Sequence, residues 1–116
     1  CLFGLHLFND NIKQVAIVES EKTAIIMTIE LPQYTWMATG SLGGFKVEYL
    51  KPLKSKEIIA FPDKGGYDKW KTTANNLNSK KFNIRVSKLL EIDEYDMGWD
   101  LVDVFNYEKK KKYTKR

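Results

Sequence analysis

The sequence predicts an α/β domain in which a mainly parallel central sheet carries helices on both faces. Three observations point there. Val15-Ala16-Ile17-Val18 is a short, fully apolar run rich in β-branched residues, as a buried parallel strand requires, and Glu57-Ile58-Ile59-Ala60-Phe61 reads as a further strand. Segments with helical spacing of apolar residues separate these runs. The resulting strand–helix–strand–helix order calls for parallel neighbours joined by right-handed crossovers. A chain of 116 residues suits one domain with a single core, and 43% apolar residues with three Pro and seven Gly is ordinary for a globular protein.

The elements follow in order. Residues 2–8 (LFGLHLF) read as a strand. The chain begins with Cys1 at the edge of that strand rather than with Met, which suggests a segment of a longer protein. His6 lies in this strand with no Cys, Asp or Glu beside it, so a metal or catalytic role is not expected there. After residues 15–18, Ser20 is a candidate N-cap, and Glu21 suits the positive end of a helix dipole. A helix over residues 21–31 carries Ala24, Ile25, Met27, Thr28 and Leu31 and is stopped by Pro32. Thr35-Trp36-Met37-Ala38-Thr39 forms the next strand and runs into a Gly40-Ser41-Leu42-Gly43-Gly44 turn. The strand over residues 57–61 is broken by Pro62. A helix from about residue 67 to 79 places Trp70, Ala74 and Leu77 on one face. Phe82-Asn83-Ile84-Arg85-Val86 alternates apolar and polar, as a half-exposed edge strand does. A last helix is expected from about residue 100 to 107, leaving residues 108–116 as a basic tail or linker stub. Trp36 and Trp70 are expected in the core, and Trp99 as a lid over the last helix.

Composition excludes several classes. No apolar run approaches the ~20 residues that span a bilayer, and no secretory signal is legible. A single cysteine allows no internal disulfide and no cysteine-built zinc site, favouring a cytoplasmic setting. The net charge of +4 resides at one end. Residues 109–116 (KKKKYTKR) hold six of the 19 basic residues, while residues 1–107 hold 13 basic against 14 acidic residues. Such a tail can attract phosphates, although basic termini are commonly just solvated.

In parallel α/β sheets, ligands bind beyond the carboxyl ends of the strands. Here that rule selects Glu19-Ser20-Glu21, residues 39–44 and residues 63–68. Glu19 follows the first interior strand and Asp63 the third. If these strands are neighbours, their ends lie ~5 Å apart. Two carboxylates that close repel unless a cation sits between them or one is protonated. Mg²⁺ accepts such a pair, with water or phosphate completing its shell. Gly40-Ser41-Leu42-Gly43-Gly44-Phe45-Lys46 lacks the spacing of a Walker A loop.

The segment Val15-Ala16-Ile17-Val18-Glu19-Ser20-Glu21-Lys22-Thr23-Ala24 resembles the first motif of Toprim domains, an apolar strand ending in Glu-Gly before a helix. Ile58-Ile59-Ala60-Phe61-Pro62-Asp63 resembles the second, a strand ending in Asp-x-Asp. Gly98-Trp99-Asp100-Leu101-Val102-Asp103 resembles the Asp-x-x-Asp segment of primase-type members. The likeness covers roughly residues 12–106 and is nearest to Toprim-like domains in primase-like proteins of bacterial plasmids and mobile elements. Two departures stand out: Ser20 replaces the usual Gly, and Gly65 stands where the second Asp of Asp-x-Asp would be.

The resemblance implies a small Rossmann-like Toprim fold and a metal-dependent module for nucleic-acid processing, of the kind DNA primases use for nucleotidyl transfer in replication. Glu19 would act as general acid/base or metal ligand. Asp63, with Asp68, Asp100 or Asp103, would hold Mg²⁺ or Mn²⁺, although Asp68 also suits a first helical turn and Asp100 an N-cap. Lys22, Lys64 and Lys69, with the backbone at Gly43 and Gly44, would face phosphate. The expected partners are DNA or RNA, nucleotides, and zinc-ribbon or helicase regions of a parent polypeptide. The loss of the second Asp leaves two alternatives: a non-catalytic nucleic-acid or nucleotide-binding module, and a Toprim-type nuclease.

Overall fold

Four strands of four or five residues form one parallel sheet in the order β2-β1-β3-β4: β1 (Gln14–Val18), β2 (Thr35–Ala38), β3 (Glu57–Ala60) and β4 (Asn83–Val86). The structure, a computed structural model, describes residues 2–5, 14–40, 43 and 45–114. β1 pairs with β2 from Val15↔Thr35 to Val18↔Ala38 and with β3 from Gln14↔Glu57 to Ile17↔Ala60. β1 is therefore central, and its residues 15–18 are buried on both faces, which is why they are uniformly apolar. β4 lies at the edge and keeps the alternation read from sequence, with Ile84 buried and Asn83 and Arg85 exposed.

Helices cover both faces. α3 (Tyr67–Ser79) and the short α2 (Val47–Leu50), with the 3₁₀ turn Lys51–Leu53, enclose one core of Val15, Ile17, Met37, Ile58, Ala60 and Ile84. α3 contributes Trp70, Ala74 and Leu77 at helical spacing, and Trp70 stacks on Phe45 with ring centroids 4.4 Å apart. Burying each large side chain of this kind contributes roughly 1.5–3 kcal/mol. On the other face, α1 (Glu21–Glu30) and α4 (Leu101–Thr114) pack on Ala16, Val18, Trp36 and Ala38 through Ala24, Met27, Leu101 and Val104. The sheet is thus sandwiched in a small Rossmann-like α/β fold, as the strand–helix alternation predicts. None of the helices among the described residues is long and apolar enough to cross a membrane.

The structure departs from the sequence expectations at several ends. The first predicted strand reduces, among the described residues, to one antiparallel bridge of Phe3 with Ala38. There Phe3 N–H donates to Ala38 O (2.9 Å) and Ala38 N–H to Phe3 O (3.1 Å). Gly4 then turns at φ +89, where an added Cβ would sit 2.9 Å from Trp36 O. The rest of that strand, with His6, lies outside the described residues, as do Cys1, Ser41, Leu42 and Gly44. The last helix does not stop at Tyr107 but runs to Thr114, so most of the expected tail is helical. Ion pairs Lys109–Glu30 (3.2 Å) and Lys111–Glu94 join it to the body. α2 and the 3₁₀ turns at Lys51–Leu53 and Leu89–Glu91 were not expected.

Asn78 joins α3 to β4: its amide donates to Ile84 O (2.9 Å) and its carbonyl oxygen accepts from Ile84 N–H (2.8 Å). Asn78→Ala should lower stability in urea denaturation by about 1–2 kcal/mol, because both groups of Ile84 lose their partner. Exposed Asn76→Ala should stay within about 0.5 kcal/mol of the parent.

Candidate functional site

The central strands β1 and β3 end side by side, and their connections then diverge. β1 leads through α1 to β2, while β3 leads through α3 to β4 on the opposite face. This is the topological switch point of the sheet, where open parallel sheets form their ligand crevice. Glu19 and Asp63 stand there. The Asp63 backbone N–H donates to Glu19 Oε2 at 2.9 Å, so the two strand ends are joined through one of the acids. The Glu19 carbonyl accepts from Gly40 N–H (2.8 Å), bringing the end of β2 to the same edge of the sheet.

Two further acids approach from α4. Asp100 and Asp103 form a reciprocal cap: Asp103 N–H donates to Asp100 Oδ1 (2.9 Å), and Asp100 N–H donates to Asp103 Oδ2 (3.1 Å). The N-cap role and the approach to the site are therefore compatible for Asp100. Its Oδ2 also accepts from the hydroxyl of Thr23 (2.9 Å), a buried residue of α1. This bond ties the start of α4 to the first turn after Glu19.

The electrostatic result is focused on Asp63. Burial first, then the charges of Glu19, Asp100 and Asp103, push its carboxyl from 3.8 up to about 7. Lys64 does not offset this field as a mobile cation would, because its ammonium is engaged by the carbonyls of Ile92 and Tyr95. Its backbone also pairs with Trp99 O and Gly98 N. Lys64 thus holds the loop before α4 in place rather than presenting its charge to a phosphate.

The donor set suits a hard cation held mainly by water or phosphate. Glu19 and Asp63 supply two carboxylates, the number that a Mg²⁺ site commonly takes from protein. Among the described residues no three His, Cys, Asp or Glu side chains converge closely enough to cage an ion. Asp100 and Asp103 act on Asp63 through their charge, while Oδ1 of Asp100 and Oδ2 of Asp103 are engaged in the α4 cap and Oδ2 of Asp100 with Thr23.

The remaining predicted residues are dispersed. Asp68 is exposed in the first turn of α3 and is not among the charges acting on Asp63. It lines a separate cleft of about 480 Å³ with Gly65, Tyr67, Lys88, Glu91 and Ile92. Lys22 and Lys69 are exposed on the first turns of α1 and α3, and Gly43 is exposed. Gly44 lies outside the described residues. Ser20 takes the N-cap backbone geometry of α1 but makes no side-chain capping bond. Trp36 and Trp70 are buried, and Trp99 packs between Tyr95 and Tyr107 beside α4.

Gly65 has a physical reason to be glycine. Its φ is +102, and a Cβ there would lie 2.6 Å from Met97 Sδ. Its N–H donates to both carboxylate oxygens of Glu91 (3.0 Å each), and Glu91 Oε1 also accepts from Tyr67 N–H (3.1 Å). Glu91 therefore satisfies the backbone at the start of α3. Sequence reading missed both this role and that of Thr23, whose partner is 77 positions away.

Two outcomes follow for stability. Without metal, Asp63→Asn should stabilise the fold above pH 7 and leave it nearly unchanged near pH 4. Below about 3.8 Asp63 is protonated in both folded and unfolded chains. As pH rises from there to about 7 the unfolded chain ionises first, so the parent loses stability progressively. Because Asp63 is half-exposed, about 1 kcal/mol is expected in urea melts at pH 8 with EDTA. Gly65→Asp should destabilise by about 1–3 kcal/mol at neutral pH through its positive φ, rather than restore an acid to the site.

Residues 1–64 match a family model described as Domain of unknown function (DUF6371). No curated protein and no solved structure matches the chain. The matched stretch contains both Glu19 and Asp63, while Asp100 and Asp103 lie beyond it. The match spans more than half of the 116 residues, and the chain belongs to the DUF6371 family.

Proposed function

We propose that this domain is a metal-dependent module of nucleic-acid processing, similar to the Toprim domains of primase-like proteins, in which Glu19 and Asp63 share a divalent cation. The observation that carries this reading is their joint position at the β1–β3 switch point, with the Asp63 N–H on the Glu19 carboxylate. An acidic crevice there repels a phosphate unless a cation intervenes, and Mg²⁺ or Mn²⁺ is the cation suited to carboxylate and water oxygens. Bound between these acids, the ion would supply charge stabilisation to a transferring phosphate. The chain's own residues do the positioning. Asp63 N–H fixes the Glu19 carboxylate, Thr23 holds Asp100, and the reciprocal cap with Asp100 holds Asp103, whose charge acts on Asp63. Nucleotidyl transfer and phosphodiester hydrolysis would use the same acids.

A second reading is favoured by one observation. The backbone at Gly65, held at φ +102, disfavours a second acid after Asp63. A module of this kind would bind nucleic acid or nucleotide through a metal without turnover.

Thermal unfolding with added Mg²⁺ or Mn²⁺ tests the shared premise. At ten times Kd the ion should stabilise the domain by about 1.4 kcal/mol, raising Tm by roughly 5 °C in a domain of this size. Glu19→Gln and Asp63→Asn should each abolish the shift. An unchanged Tm at millimolar metal would contradict the site.

A further inference from the structure

Charge is separated along the strand direction. The segment 91–103, at the carboxyl ends of the strands, holds six acids and no base. At the opposite edge the chain enters β3 after residues 46–56 and β4 after residues 80–82. Those two segments hold six lysines against one acid, Glu48. A groove of about 320 Å³ lies there, lined by Val47, Glu48, Lys51, Lys54, Lys80 and Phe82. Lys51, Lys54 and Lys80 are exposed, and Lys54 Nζ sits 5.7 Å from the centre of the Phe82 ring. Glu48 is met by Lys46 at 3.7 Å, so it does little to offset the rim.

We infer that this lysine-rimmed groove binds the phosphodiester backbone of a single-stranded nucleic acid, at the end of the sheet opposite the acidic crevice. Two features select that occupant. Three lysines around one groove attract a polyanion, and each contact with a phosphate releases counterions. The floor of Val47 and Phe82 offers no hydrogen-bonding partner, so a peptide strand would place amides there without partners. A nucleic-acid strand instead presents sugar carbons to the floor and phosphates to the rim. The choice of nucleic acid is consistent with the proposed function, but the groove shares no residue with the metal site.

Binding of a mixed-sequence single-stranded DNA to the full chain, followed by fluorescence anisotropy across salt concentrations with EDTA present, tests this. Lys51→Gln/Lys54→Gln/Lys80→Gln should weaken binding at least tenfold at low salt. It should also reduce the slope of log affinity against log salt by about 2, on the scale of ~0.7 per phosphate contact. The triple Arg substitution at the same positions should retain binding, and both variants should melt like the parent. Lys109→Gln/Lys110→Gln/Lys112→Gln, with the same loss of charge on α4, should change both quantities less. An unchanged affinity in the groove variant, or an equal loss in the α4 variant, would overturn the assignment. So would competition by polyglutamate as effective as by DNA, which would make the groove a site for acidic protein. Because EDTA keeps metal out of the crevice, failure here leaves the metal-dependent Tm shift as an independent test of the proposed function.

Discussion

The parallel pairing of β1 with β3 sets the conditions for the whole carboxyl edge of the sheet. Their connections leave in opposite directions and over opposite faces, through α1 toward β2 and through α3 toward β4. Diverging connections leave space between them in open parallel sheets, and ligands commonly bind beside the residues just past such strands. In this chain those residues are Glu19 and Asp63. Their proximity follows from the observed register, which pairs Val15 with Ile58 and Ile17 with Ala60 and so ends the two strands side by side.

The acids at that crevice oppose the stability of the fold they depend on. Asp63 is half-buried among other carboxylates, and its raised proton affinity measures the cost of ionising it there. Structure elsewhere holds the group together. Thr23 fixes Asp100, the reciprocal cap fixes Asp103, and Lys64 fastens the preceding loop through Ile92 and Tyr95. A cation would relieve the repulsion, and so would a proton. At the other end of the strands the excess charge has the opposite sign, so the domain presents two electrostatically distinct edges.

Much of this architecture is legible in residue order. β1 could be read because a strand buried on both faces must be apolar throughout, and β4 because an exposed face alternates. α3 was readable from the spacing of Trp70, Ala74 and Leu77, and α1 from its limits at Ser20 and Pro32. α2 was not, because four residues show no helical period. The extension of α4 was hidden because Lys109 to Lys112 present no apolar stripe, and their ion-pair partners Glu30 and Glu94 are remote in sequence. At the site, the adjacency of Glu19 and Asp63 could be inferred from strand order. The roles of Thr23 and Glu91, and the contact of Gly65 with Met97, could not, because each depends on loops meeting across the sheet edge. Asp68 shows the converse: close in sequence to Asp63, it is carried away by the first turn of α3.

That Glu19 and Asp63 form one cation-seeking pair is most directly tested by carbon-detected NMR titration of the Asp63 carboxyl with and without Mg²⁺. The expected midpoint is about 7 in the metal-free protein, displaced to lower pH when Mg²⁺ is present. A midpoint near 4, typical of a free carboxylate, and insensitive to Mg²⁺ would contradict it.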